Sequence, residues 1–261
     1  ALSNGGDESN TIAQDGPMAR IGLLSTEHPP SPLVLALAPV LAATGCSVAA
    51  AIDDFLPFDC DRLEDGGLMM LRGAGAQASE RIPAERVFWI GEPPFTRPIP
   101  IGRTLGKARF HEVAGLLTGK ARGGALEKAV IETGAYILTG LKEFDRTSAF
   151  YAMEGGLTSG TAAERFALIF GEDALRNPGE VATLAEKRRD VMADRRGAIS
   201  TWNGGPLRAA LETLGPRGAI GRIAEAGFVT GPRKPVARLY GEDDAALDKA
   251  EGQVRSALKL G

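Results

Sequence analysis

The sequence predicts an α/β protein with a mainly parallel sheet in its first hundred residues, a helical segment after residue 100 and a C-terminal helix. Three observations carry that prediction. Short apolar runs ending in polar clusters recur four times between residues 18 and 95. The first two runs are separated by an apolar stretch with helix start and stop signals. Beyond a proline-rich break the apolar spacing becomes i, i+3, i+4, i+7, which is the helical period.

Arg20 to Ser25 (RIGLLS) is the first strand, and it runs into Ser25-Thr26-Glu27-His28. Ser31 is placed as N-cap and Pro32 as first residue of a helix over 33–43, closed by Gly45. Cys46 to Ile52 is the second strand, ending at Asp53-Asp54. Strand, helix and strand in this order imply parallel pairing, because a crossover helix returns the chain to the same edge. Leu68 to Leu71 and Arg86 to Ile90 are two more buried strands, the latter followed by Glu92 and Pro93-Pro94.

Pro93 to Pro100 is the natural boundary. The expected organisation is a disordered extension over 1–17, an α/β part over 18–100, and a helix-rich part with one or more added strands over 101–261. Phe110, Val113, Ala114 and Leu117 form one helical stripe; Leu126, Val130, Ile137 and Leu141 form another. Residues 147–153 (TSAFYAM) read as a strand and 161–170 as a helix. Charged residues 181–196 read as a helix, with Glu186, Asp190 and Asp194 at salt-bridge spacing from Lys187-Arg188-Arg189 and Arg195-Arg196. Helices over 206–214 and 220–226, a small strand pair at 228–229 and 236–240, and a final helix on Leu247, Ala250, Val254 and Leu258 complete the reading. Trp202-Asn203-Gly204-Gly205 is placed to cover a site.

Composition narrows the function classes. The chain has 34 Gly among 261 residues and, by count, 40 Ala, so its core relies on small side chains and close backbone approach. Residues 1–100 carry 6 Arg, no Lys and 13 acidic residues, a net of −7; residues 101–261 carry 24 basic and 20 acidic residues, a net of +4. That split suits an anionic small molecule meeting the second part. Nucleic acid is disfavoured as partner, since the basic excess is small and lacks base-stacking aromatics. A membrane is disfavoured too, because the best apolar stretch, 33–43, is short and holds Pro39. The polar first residues lack a hydrophobic signal region and Met18 resembles a natural start, so the expected location is cytoplasmic. Cys46 and Cys60 make no metal pattern, and Cys46 is expected to be buried. His28 and His111 are too few for a histidine-rich metal site.

The strongest local signal is Glu154-Gly155-Gly156-Leu157-Thr158-Ser159-Gly160-Thr161. A glycine-rich turn between a strand and a helix lets backbone N–H groups converge, and three hydroxyls add donors for a phosphate or carboxylate. The competing account is a capping box, Thr161 with Glu164, which needs no ligand. The stretch resembles the diphosphate-ribose loop of type I phosphoribosyltransferases, with Phe150 to Met153 as strand, Glu154 as first acid and Leu157 to Thr161 as turn; Gly155 stands where the second acid belongs. It is similar also to the glycine-pair loops of lysine-decarboxylase-like nucleotide-binding proteins. The resemblance implies a phosphorylated or nucleotide-like substrate and transferase chemistry.

Gly73-Ala74-Gly75-Ala76-Gln77-Ala78 matches G-x-G-x-x-A, and Glu92 follows 19 residues after Gly73. The N-terminal part is accordingly similar to Rossmann- or flavodoxin-like sheets, although Pro83 leaves room for little crossover helix, which favours a plain small-residue loop. Glu27 and His28 sit beyond a strand's carboxyl end, where they are candidates for acid–base catalysis. Asp53, Asp54 and Glu92 share that placement and are the candidate ligands of a divalent cation, the one cofactor the sequence suggests. The leading expectation is an enzyme binding a phosphorylated small molecule and transferring a group. The alternative is a non-catalytic ligand-binding or complex-forming subunit, and homo-oligomerisation stays open.

Overall fold

A computed structural model describes residues 20–25, 32–52, 62–72, 79–90, 102–142 and 144–261. The fold is mixed α/β with three sheets, one of them mostly parallel. Strands β1 (Arg20–Ser25), β2 (Ser47–Ile52), β3 (Arg62–Asp65), β4 (Leu68–Arg72) and β5 (Arg86–Ile90) form the first sheet in the order β3-β4-β2-β1-β5. β1 pairs in parallel with β2 and β5, and β2 with β4, as the apolar runs predict. Only β3, which is short and charged and escapes a pattern reading, pairs antiparallel.

Helix α1 (Leu33–Ala43) follows β1 and is buried along almost its whole length. LVLALAPVLAA is apolar on every side, and a helix of that kind must be enclosed. One side packs on the sheet face carrying Ile21, Leu23, Val48, Ala50, Leu68 and Met70. The other is covered by α2 (Ala108–Leu117), α3 (Ala125–Gly140), α4 (Arg146–Thr158) and α5 (Thr161–Phe170), which belong to the same core. Phe110, Phe166 and Phe170 meet in that layer with ring centroids 4.6–5.3 Å apart. The sheet's opposite face holds Leu24, Ala49, Ala51, Met69 and Leu71, with Ile82 laid across it. Gly22 permits that crossing: a Cβ there would lie 2.7 Å from Ile82 Cγ2.

A second core is built from Leu105 and the residues after 190. Beyond the short helices α6 (Asp173–Arg176) and α7 (Pro178–Val181) come β6 (Leu105–Gly106, earlier in the chain), β7 (Lys187–Met192), β8 (Gly197–Trp202), α8 (Gly204–Leu214), β9 (Ala219–Gly221), β10 (Val229–Thr230), β11 (Pro235–Gly241), α9 (Asp244–Ala257) and β12 (Leu258–Leu260). One sheet has the order β6-β9-β11-β7 and the other β10-β8-β12. α8 and α9 pack on each other and on the first of these sheets.

Several elements differ from the sequence reading. Residues 147–153 are helical: Asp145 caps α4 by accepting from Thr147 N and Ser148 N at 2.8 and 3.0 Å. Buried Ala149, Met153, Gly156 and Leu157 recur at the helical period, and this tertiary burial overrides the strand-like composition. The charged helix expected over 181–196 is instead mostly β7 and the turn into β8. Arg189 there reaches over α9 to Asp248 and Glu251, while its strand neighbour Asp190 faces Arg238. The expected helix at 220–226 is β9 and a turn. β10 and β11 are both strands, but they pair with different partners, β8 and β7/β9. Trp202 does not cover a site: it is buried in β8, its Nε1 donating to Ala224 O at 2.9 Å. The final helix and the helices on the Phe110 and Leu126 stripes lie where their spacing predicts.

Candidate functional site

In an open parallel sheet, ligands collect beyond the carboxyl ends of the strands, where neighbouring connections leave in opposite directions. Here the chain steps from β1 outward through β2 to β4, then returns to the other side of β1 for β5. The reversal falls between β1 and β5. Pro32, at the start of α1, marks that edge, because α1 begins just after the carboxyl end of β1.

The segment 102–104 is pressed against this edge. Gly102 adopts φ +100, and a Cβ on it would lie 2.5 Å from Pro32 Cγ and 3.1 Å from Glu112 Oε1. Only glycine fits both the left-handed backbone and the close approach. Glu112 projects from α2 into this turn. Its Oε1 and Oε2 accept from Arg103 N at 2.7 and 3.0 Å, and Oε2 also accepts from the Thr104 hydroxyl. Burial pushes the Glu112 carboxyl above its ordinary value; the hydrogen bonds from Thr104 and Arg103 and the Arg103 charge oppose this, while nearby Glu225 adds to it. A carboxyl that keeps its proton higher than usual, set at a sheet's carboxyl edge, has the makings of a general acid or base. Its neighbour His111 is tied by Nε2, 3.0 Å from Ala182 O.

The stretch Glu154 to Thr161 is not a loop between a strand and a helix. Glu154, Gly155, Gly156, Leu157 and Thr158 are the last turns of α4, and only Ser159 and Gly160 separate it from α5. Phe150 to Met153 is helix, so the strand–turn–helix setting of a phosphoribosyltransferase-type loop is missing. The hydroxyls are engaged locally: Thr158 Oγ1 donates to Glu154 O at 2.7 Å, Ser159 Oγ lies 3.0 Å from Thr161 Oγ1, and Ser159 Oγ accepts from Thr161 N at 3.3 Å. Gly160, with φ +88, is the N-cap of α5 and Thr161 its first residue, so no Thr161–Glu164 capping box forms. Gly156 has a packing reason. A Cβ there would lie 3.2 Å from both Val40 O and Ala43 Cβ of α1.

Glu27, His28, Asp53, Asp54, Glu92 and the 73–78 fingerprint lie outside the described residues. Among the described residues no three His, Cys, Asp or Glu side chains converge as a metal site, and no helix is long and apolar enough to cross a membrane. A cavity of about 240 Å³, lined in part by Arg20, Ser47, Glu64 and Pro83, sits at the sheet's amino edge, opposite the carboxyl edge. Sequence reasoning missed Glu112 and Thr104. Their only sequence signal is a polar residue beside an apolar helical stripe, with Gly102-Arg103-Thr104 just after the proline-rich stretch.

Set against known proteins, the chain matches no protein-family model and no curated protein in sequence.

Proposed function

We propose that the protein binds a phosphorylated or nucleotide-like small molecule at the carboxyl edge of its parallel sheet and transfers a group of that molecule. The observation that supports this reading is the strand order, whose connections reverse direction at β1, the kind of point at which open parallel sheets collect their ligands. Glu112 at the same edge supplies a proton donor or acceptor whose burial suits acid–base work near the reacting group. Glu27 and His28, which follow β1 in the chain, are proposed as further acid–base groups. Asp53 and Asp54 after β2 and Glu92 after β5 are proposed to hold a divalent cation.

The test is a calorimetric and thermal-shift screen of nucleotides, sugar phosphates and pyrophosphate, with and without millimolar magnesium. A ligand at a hundred times its Kd stabilises the fold by about 2.7 kcal/mol, an increment of roughly 2–4 °C in Tm per kcal/mol for a domain of 150–250 residues. If no phosphate compound binds at millimolar concentration, the enzyme reading is wrong and a non-catalytic subunit takes its place.

A further inference from the structure

The sheet β6-β9-β11-β7 has an inner face of Leu105, Ile220, Leu239 and Val191, all fully buried. Its outer face carries a different chemistry. Arg238 stands opposite Asp190 on one side and Gly221 on the other, and Tyr240 stands opposite Arg188 and Ala219. Arg238 holds Asp190 with a two-pronged contact, Nε to Oδ1 at 2.6 Å and Nη2 to Oδ2 at 2.8 Å. That pair is self-neutralising. Arg188 and Arg222 are exposed, and among the described residues their guanidinium groups make no hydrogen bond or ion pair. Both are near enough, with Arg238, to help hold the Asp190 carboxyl below its ordinary value. Three guanidinium groups therefore lie near one carboxylate, of which only Arg238 touches it, an excess of two positive charges.

Arg222 is also conformationally unusual. It has φ +53 directly after β9, a backbone that glycine adopts without strain and arginine does not. Gly221 beside it lets the Tyr240 ring lie close against β9: a Cβ there would lie 3.2 Å from Tyr240 Cε2. Two arginines on either side of β11, both near Asp190 and neither with a carboxylate of its own among the described residues, are an arrangement that suits a bound anion.

We propose that this outer face is a phosphoryl-binding site, with Arg188 and Arg222 gripping the phosphate oxygens and the Arg238–Asp190 pair and Tyr240 forming its floor. The guanidinium fork matches phosphate geometry, and two forks, one from β7 and one from the residue after β9, fix its orientation. The site adjoins the Glu112 turn: Ile223 N donates to Arg103 O at 2.9 Å, so the backbone that carries Arg222 runs beside the one that carries Thr104. The inference rests on the reading that the ligand is phosphorylated and says which residues of the chain hold that group.

The test is titration calorimetry of inorganic phosphate and pyrophosphate against wild type, Arg188→Ala and Arg222→Gly. A charge-assisted hydrogen bond lost from each variant should weaken binding by about tenfold or more. Arg222→Gly should keep or raise its Tm, since glycine relieves the backbone, so lost affinity is not lost folding. Arg188→Ala, on an exposed strand position, reads the same affinity independently of that backbone. Wild type binding while both variants bind equally well would overturn the inference alone and leave the phosphorylated-ligand reading standing. No binding of either anion by wild type would overturn the inference, while the phosphorylated-ligand reading falls only if the nucleotides and sugar phosphates of the wider screen fail as well. A single-stranded oligonucleotide run in parallel separates sources, and its binding at lower concentration than pyrophosphate would overturn the small-molecule form.

Discussion

Gly155 and Gly156 are adjacent, and replacing each with alanine tests whether they serve a ligand loop or a helix. In the fold both lie inside α4, so each alanine gains helix propensity of about 1 kcal/mol. At Gly155, which is exposed, nothing lies within 4 Å of the added Cβ, and Gly155→Ala should therefore stabilise by about 0.5–1 kcal/mol. At Gly156 the new Cβ meets Val40 O and Ala43 Cβ at 3.2 Å, a backbone and a Cβ atom of α1 that move only with the helix itself. Overpacking of this kind costs about 1–3 kcal/mol. The net effect of Gly156→Ala is then about zero to 2 kcal/mol of destabilisation. The difference between the two variants isolates the contact between α1 and α4 and should be about 1–3 kcal/mol. Scanning calorimetry would register it as a Tm gap of roughly 2–12 °C at 2–4 °C per kcal/mol. Gly155→Ala melting at or below Gly156→Ala would refute the helix–helix account.

Two further substitutions probe the site and the second core. Glu112 has a carboxyl raised above its ordinary value, so its contribution to stability is complete below about pH 4.5 and fades as pH rises through the folded-state value. Tm measured against pH should show wild type losing ground to Glu112→Gln as pH rises from 4 towards neutrality; a gap constant with pH would mean the fold does not shift this carboxyl, and one widening in favour of wild type would mean the ionised form is the favoured one. Trp202→Phe removes the donor to Ala224 O in a fully buried setting, which should cost at least about 1–3 kcal/mol in urea unfolding. A cost within 0.5 kcal/mol, the range of about 0.5 kcal/mol found at exposed surface positions, would mean the carbonyl finds another partner.

Helices whose apolar stripes are continuous, such as those on Phe110, Leu126 and Leu247, were legible in the sequence, because burial of one face dictates the spacing directly. So were the parallel strands, whose apolar runs must be enclosed on both faces. Residues 147–153 misled because Thr147, Phe150 and Tyr151 are residue types that strands favour, while the deciding term, the fit of Ala149, Met153 and Gly156 in the layer over α1, is tertiary. Residues 187–192 misled for the opposite reason. Their charges sit at helical salt-bridge spacings, yet the partners that satisfy Arg189 and Asp190 come from Asp248 and Arg238, about fifty residues or more away. Glu112 was invisible on the same ground: its environment is made by Pro32, Gly102 and Thr104, and only folding brings these together.

The charge asymmetry of the sequence acquires a location in the fold. Residues 101–182 carry 10 basic and 10 acidic side chains and are balanced; residues 183–261 carry 14 and 10, so the whole excess of four falls in the second core. Much of that unit's charge is locally cancelled: Lys187 meets Asp244, Arg189 meets Asp248 and Glu251, Arg208 meets Glu212, and Arg255 meets Glu251 and Asp194. These pairs lie near solvent and contribute little to stability individually, but they remove the same arginines and lysines from competition for a ligand. Among the basic residues outside these pairs, Arg188 and Arg222 flank one carboxylate, Asp190, which already belongs to Arg238. A net positive field set on one sheet face draws an anion by its potential and holds it by guanidinium geometry.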